Sequence, residues 1–391
     1  MKTTTLSVGF IPLTDSAPLI IAQEMGYAAE EGIALDLKRA PSWSSLRDML
    51  SFGRVDAAHM LSPVPVASAL GLGGAGVPLS AVSVLSVNGN VIGVSNALAE
   101  KLRAQGHDFG FDDARAAGEA LIAATDETLR IGVPFPFSMH AELLYYWLSA
   151  LGLSVPEALQ VRTVPPPLMA DAMEAGEIDA FCVGEPWGSI AVENGVGALL
   201  LPGTAIWSFA PEKVLAVRSD WAETEQSLLS RLIRATWRAG RWLSEPASRS
   251  LASEILSRPD YLGLPAEVLD RALTGRMVIS AQGEERQVPR MLEFHDGAAT
   301  FPWRSQAEWI GRQLAARARL DPEAAARAAR ATFRSDLHRA ALAGTSADLP
   351  GASSKLEGSL TKRLPVASES GRLFLGPDGF FDGRIFEPRE G

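Results

Sequence analysis

Residues able to do chemistry are few and scattered along this 391-residue chain. The five histidines (His59, His107, His140, His295 and His338) include no pair spaced to share a metal ion. There is no Gly-x-Ser-x-Gly to carry a serine nucleophile, and no carboxylate pair in an interpretable context. The single cysteine, Cys182, rules out an internal disulfide and suits a reducing compartment. This pattern argues against an enzyme and predicts neither metal nor cofactor. A binding chemistry is offered instead by Phe181-Cys182-Val183-Gly184-Glu185-Pro186-Trp187-Gly188. The apolar run 180–183 has the length of a buried strand, Gly184 breaks it, and Pro186 stands where a helix can begin. Strand, tight turn and helix N-terminus in that order aim backbone N–H groups at a ligand.

The same order occurs earlier in the chain. Gly53-Arg54-Val55-Asp56-Ala57 precedes an apolar stretch and Pro63, as Gly176-Glu177-Ile178-Asp179-Ala180 precedes Pro186. Glycine to aspartate is three residues and glycine to proline ten in both copies. Two copies of one unit predict two similar lobes facing a common cleft; chance recurrence of a short motif is the alternative.

Around these copies, strand and helix patterns alternate. In the first half, strands are expected over 6–11, 33–38, 55–60, 79–87 and 91–94. Helices are expected over 17–31, with Asp15 or Ser16 as N-cap, and over 42–52 and 63–70. The glycine-rich run 71–76 lacks the lysine and hydroxyl of a phosphate-binding loop. Asn88-Gly89-Asn90 reads either as a hairpin turn or as a crossing between lobes whose polar residues line the cleft. The second half repeats the alternation, with strands over 129–133 and 159–164 and a helix after Ser138 running to 151. His140 falls in the first turn of that helix, ordinarily the place of a solvated or satisfied side chain. The strand 214–218 is expected to return to the first lobe. Alternation of this kind predicts a mainly parallel α/β sheet in each lobe. Residues 220–334 read as largely helical, with Arg327, Arg330 and Arg334 on a basic stripe or a solvated face. A loose tail (344–369) and a closing hairpin (372–386) around Gly376-Pro377-Asp378-Gly379 complete the chain.

Composition sets the outer bounds. With 36 basic and 46 acidic residues the net charge is −10, and no basic run offers a nucleic-acid surface. No apolar stretch approaches the ~20 residues needed to cross a bilayer. The chain leads from Met1-Lys2-Thr3 directly into its first strand, without an apolar leader or lipid-attachment cysteine, so a cytoplasmic location is expected.

Several segments together resemble the bilobal solute-binding proteins of nitrate and bicarbonate uptake transporters. They are Val8 to Asp15, Met25 to Gly32, Phe181 to Trp187, Pro211-Glu212-Lys213, Arg218-Ser219-Asp220-Trp221 and Phe301-Pro302-Trp303. Ser16 departs from the relatives, which often carry cysteine there. The resemblance implies an α/β, bilobal, periplasmic-binding-protein-like (type II) fold with a helical C-terminal extension. The return of the strand after Lys213, once the second copy is complete, predicts a first lobe from residues 1–92 and 206–391 and a second from 93–205. Matching segment by segment implies an anion site of Trp43, Asn90, His140 and Lys213, with Gly89, Glu185, Pro186 and Trp187 lining the cleft. Nitrate is planar and permanently anionic, which suits one full positive charge from Lys213 and flat N–H donors from the others. The expected lack of an export leader, combined with these segments, resembles the NasS-like cytoplasmic nitrate/nitrite sensors of this family. Their implied partner is a NasT-like RNA-binding antiterminator. A transport component whose leader is missing is the alternative.

Overall fold

The computed structural model of the chain describes residues 3–74, 76–125, 128–155 and 158–389; Met1, Lys2 and Ala75 of the segments discussed above lie outside them. Two sheets carry the fold. Strands β1 (Thr4–Phe10), β2 (Ile33–Arg39), β3 (Ala57–Leu61), β4 (Leu79–Asn88), β10 (Pro211–Arg218) and β13 (Leu292–Glu293) form one. Its order is β13-β4-β10-β3-β1-β2. Strands β5 (Asn90–Ser95), β6 (Leu129–Val133), β7 (Leu159–Thr163), β8 (Ala180–Gly184) and β9 (Gly197–Pro202) form the other, in the order β7-β6-β8-β5-β9. A small separate ladder pairs β11 (Arg276–Val278) with β12 (Glu285–Gln287).

The two copies read from the sequence occupy equivalent places. β3 pairs parallel to β1 with Val8 opposite Ala57, and β8 pairs parallel to β6 with Ile131 opposite Ala180. In both copies the aspartate before the strand ties it to that neighbour. The Asp56 amide donates to Ser7 O and its carboxylate accepts from Ser7 N, both at 2.8 Å. Asp179 does the same with Arg130, at 2.8 and 3.1 Å. Gly53 and Gly176 take the left-handed turn that precedes each aspartate, at φ 66° and 68°. Helix Pro63–Ala69 follows the first copy and helix Trp187–Glu193 the second, with Pro186 as N-cap.

Neither sheet is mainly parallel. β1 runs parallel to β2 and β3, and β6 to β7 and β8, but β10 is antiparallel to both β3 and β4. β5 is likewise antiparallel to β8 and β9. The cause is the chain's passage between sheets: strands entering from the other sheet cannot use a right-handed βαβ crossover and run against their neighbours. That passage is Asn88-Gly89-Asn90, since β4 and β5 lie in different sheets and form no hairpin. β5 lies wholly in the second sheet, so the change of sheet comes at Gly89, before the expected boundary at 92. Gly89 has φ 100°, and a Cβ there would stand 2.6 Å from Leu292 Cδ1. The Asn88 side chain pins the passage, donating to Ser208 O and Arg290 O at 3.1 Å and accepting from Ala210 N at 3.1 Å.

Four further expectations change. The helix over 17–31 divides into Ala17–Glu24 and Tyr27–Glu30, because Gly26 turns left-handed. Neither Asp15 nor Ser16 caps it by a side-chain bond; the Ser16 hydroxyl donates to Leu13 O. At the C-terminal end, residues 372–386 form no closing hairpin. Instead β14 (Leu364–Pro365) pairs with β15 (Phe374–Leu375), and buried Asp378 accepts from Leu360 N at 2.8 Å and contacts Lys355. Arg330 and Arg334 are held by Glu308, Glu223 and Asp336, so of the three arginines only Arg327 is exposed.

Candidate functional site

The ends of both sheets deliver side chains to one buried point. From the first sheet come Lys213 and Glu212 on β10, His59 on β3, and Asp15 in the short 3-10 turn that follows β1. Trp43 opens helix Trp43–Ser51, whose N-cap Ser42 accepts from Ser45 N at 3.2 Å. From the second sheet come Asn90, the first residue of β5, and His140 in helix Met139–Ala150, capped by Ser138. All seven are buried, and the Lys213 side chain has no exposed surface.

Lys213 Nζ lies 2.8 Å from Asp15 Oδ2 and 2.8 Å from Glu212 Oε2. Asp15 Oδ1 contacts His59 Nε2 at 2.9 Å. Across the cleft, Asn90 Nδ2 donates to Glu212 Oε1 at 2.7 Å, and His140 Nδ1 stands 3.8 Å from Glu212 Oε2. The Lys213 ammonium sits 5.6 Å from the centre of the Trp43 ring, which itself tilts against His59. Gly184 leaves room at the edge: a Cβ there would lie 3.7 Å from His140 Nε2 and 3.8 Å from Asp15 Oδ2.

Burial works to raise the Asp15 carboxyl, but Lys213 and His59 outweigh it and hold it down at about 2. Burial pushes Glu212 up to about 7 in spite of Lys213. It also works to lower Lys213, yet the two carboxylates outweigh it and raise the ammonium above its ordinary value. Burial, reinforced by Lys213, drives His140 well below the usual imidazole range, so its ring is neutral. His59 is lowered as well, burial outweighing Asp15. Near neutrality the cluster holds one cation, one firm anion and one carboxyl at the edge of titration.

All four residues matched to an anion site, Trp43, Asn90, His140 and Lys213, converge here. Their chemistry differs from the expectation in two respects. Lys213 is no isolated charge, since two carboxylates already neutralise it. His140 is neither solvated nor protonated. Among the described residues Trp43 Nε1 and His140 Nε2 have no hydrogen-bond partner, nor does Asn90 Oδ1. A buried donor left unpaired is costly; the indole N–H is a donor always, and the neutral His140 ring presents a second one in the tautomer that carries its proton on Nε2.

Of the residues expected to line the cleft, Gly89 O accepts from Glu185 N at 2.9 Å, and Glu185 O accepts from Thr14 N at 2.9 Å. Trp187 Nε1 donates to Pro12 O at 2.9 Å, which joins the second copy to the loop after β1. Pro186 is buried between them. The Glu185 carboxyl itself turns to its own helix, accepting from Ser189 N at 3.3 Å, and burial raises it to about 7. It is a structural group.

Sequence reasoning missed Asp15, His59 and Glu212. A signal for His59 was present: it occupies the third position of β3, where β8 has Cys182, and is the only polar side chain in Ala57-Ala58-His59-Met60-Leu61. Glu212, next to Lys213 in a strand buried from end to end but for Arg218, carried a similar one. Asp15 carried none, because its local spacing fits an N-cap equally well.

Residues 1–257 match the NMT1-like family. The nitrate import ATP-binding protein NrtC of Synechocystis sp. is 33% identical over 315 residues, covering 79% of this chain and 45% of NrtC. The nitrate/nitrite binding protein NrtA of Nostoc sp. is 30% identical over 317 residues, covering 79% of this chain and 70% of NrtA. The chain thus spans about half the length of NrtC and rather more of NrtA. The crystal structure of the periplasmic nitrate-binding protein NrtA from Synechocystis PCC 6803 superposes with a TM-score of 0.84 at 26% identity, covering 99% of this chain and 96% of that one. Both sheets and the passage between them therefore make up a periplasmic-binding-protein-like fold, and the chain belongs to the NMT1-like family.

Proposed function

We propose that this chain is a binding protein for nitrate or nitrite and takes the anion between the two sheets at the Lys213 cluster. One observation carries the reading: a fully buried lysine stands beside two unpartnered ring nitrogens, on Trp43 and His140, drawn from opposite sides of the cleft. A flat anion is a weak acceptor and needs such fixed donors in a water-poor site. Similarity to NrtA supports the choice of anion. Because Asp15 and Glu212 already hold the ammonium, an entering anion displaces a carboxylate or arrives with a proton. Calorimetric titration with nitrate, nitrite, bicarbonate and sulfate tests the reading; heat from bicarbonate or sulfate alone overturns it.

Within this reading the lobes expected over 1–92 with 206–391, and over 93–205, meet instead at Gly89, where the chain changes sheet, and the anion closes them on each other. The finer role rests on the sequence resemblance. The chain acts in the cytoplasm as a sensor, holding a NasT-like RNA-binding antiterminator until the anion binds and so controlling nitrate assimilation genes. Closure releases the partner only if the partner prefers the open form, and the partner must then weaken nitrate binding by the same factor. Size-exclusion chromatography of the co-purified pair, with and without millimolar nitrate, tests this. The expected result is a complex that nitrate dissolves; a complex indifferent to nitrate, or none at all, leaves the second reading. That second reading, the substrate-binding component of a nitrate transporter, is favoured by the transport roles named for NrtC and periplasmic NrtA.

A further inference from the structure

Away from the Lys213 cluster, a half-open cavity of about 730 Å³ lies between the helix Gln226–Leu243 and the C-terminal region, and its walls carry four arginines, Arg241, Arg290, Arg363 and Arg372. That size is within the range of sites for small organic ligands. In a chain of net charge −10, such a concentration of guanidinium groups is local and specific. Most of their donors are free. Arg241 gives one bond, to Ser346 Oγ at 3.3 Å; Arg290 gives one, to Pro377 O at 2.8 Å; Arg372 gives one, to Ser370 Oγ at 3.1 Å. Arg363 lies 4.7 Å over the Phe374 ring and makes no hydrogen bond among the described residues. Since each guanidinium has five N–H donors in a planar fork, the cavity presents several unfilled two-pronged sites.

Three acids on the same wall, Asp348, Glu293 and Asp296, offset part of this charge and leave the arginines in excess by one, and two of the three are occupied in holding loops. Asp348 accepts from Ser368 Oγ, Ser370 N and Arg372 N at 2.8–2.9 Å. Glu293 accepts from Asp296 N at 3.1 Å and stands 3.9 Å from Arg290. Only the exposed Asp296 has an uncommitted carboxylate. Trp237 adds an aromatic wall, in edge contact with His295, whose Nδ1 is buried without a hydrogen-bond partner among the described residues.

This wall is also tied to the passage between the sheets. Arg290 O accepts from the Asn88 side chain, and β13 pairs Leu292 with Asn88 and Glu293 with Val87. We propose that the cavity is a second binding site, for a small organic anion bearing two or more phosphate or carboxylate groups. The Arg290–Asp296 segment passes its occupancy to the Asn88–Asn90 crossover.

Calorimetry of the full chain with ADP and with citrate, using inorganic phosphate and acetate as singly anchored controls, tests the site and separates the two anion sources. Saturable binding of ADP or citrate, at least tenfold tighter than the controls, is expected. The Arg363→Ala/Arg372→Ala variant, altered only at exposed side chains, should lose at least tenfold in affinity while melting like the parent. Absence of saturation by both probes, or parental affinity in the double variant, overturns the site. Hydrogen exchange at the amides of residues 88–90 should slow when the tighter probe saturates; unchanged exchange overturns the link to the crossover. Neither measurement involves nitrate, so its failure is distinguishable from failure of the Lys213 site.

Discussion

Lys213 Nζ and Asp15 Oδ2 meet at 2.8 Å in a place neither side chain shares with water. One comes from the strand that returns to the first sheet, the other from the turn leaving that sheet's first strand. A second carboxylate, Glu212, completes the ammonium's surroundings. The charge available to an anion is therefore set by three groups together, and the predictions follow from that.

Replacing Lys213 has two separable effects. Lys213→Ala should weaken nitrate binding by about 1.5–3 kcal/mol, the scale of a charge-assisted hydrogen bond. It should also destabilise the fold by about 3–5 kcal/mol, since a buried carboxylate loses its counter-ion. Lys213→Glu should abolish binding. Titration calorimetry beside thermal melting reads both, and parental affinity in the two variants would remove Lys213 from the site.

Glu212 and Glu185 should each contribute stability that declines as pH rises from about 4.5 to about 7, a slope opposed by buried His59 and His140, whose lowered values add stability as pH rises to the ordinary imidazole range. Glu212 and Glu185 both have folded values raised to about 7. A raised value favours the folded state fully below the unfolded value, and that contribution is lost as pH climbs through the folded one. Each amounts to roughly 3 kcal/mol by linkage. Asp15, depressed to about 2, acts oppositely and only below about pH 4. Melting curves of Glu185→Gln and Glu212→Gln across pH 4.5–8 should each lose part of the slope; parental slopes in both would contradict the assignment.

Nitrate affinity should fall as pH rises through about 7, by up to about tenfold per unit, because an added anion favours neutral Glu212. Glu212→Gln should make the profile flat. A neutral His140 does not titrate in this range, so His140→Ala should keep the profile and cost only about 0.5–1.5 kcal/mol. A profile flattened by the histidine variant instead would reassign the proton.

Gly203→Ala should disturb the site from outside it. A Cβ there would fall 1.9 Å from Asn90 Oδ1, so Asn90 must leave Glu212 or the turn must shift. A loss of about 1–3 kcal/mol is expected, as for overpacking. Asn90→Ala in the same chain should recover much of it, and a double-mutant cycle by chemical denaturation measures the coupling.

Sequence alone determined what depends on neighbours along the chain. The copies at Gly53 and Gly176 were legible because a left-handed glycine, an aspartate tying down the next strand and a helix start are local devices at fixed offsets. Trp43, Asn90, His140 and Lys213 were named from a resemblance to a family and not from local physics; of the four only Lys213 lies in one of the matching segments. Tertiary structure alone decided what depends on distant segments meeting. Asn88-Gly89-Asn90 suits a hairpin or a crossing equally, and only the pinning of Asn88 by Ser208, Ala210 and Arg290 makes it a crossing. Asp15 looked like a helix cap until β10 set an ammonium beside it. The protonation of Glu212 and His140 was likewise beyond reach, because burial and the nearness of Lys213 fix it, and both are properties of the assembled cleft.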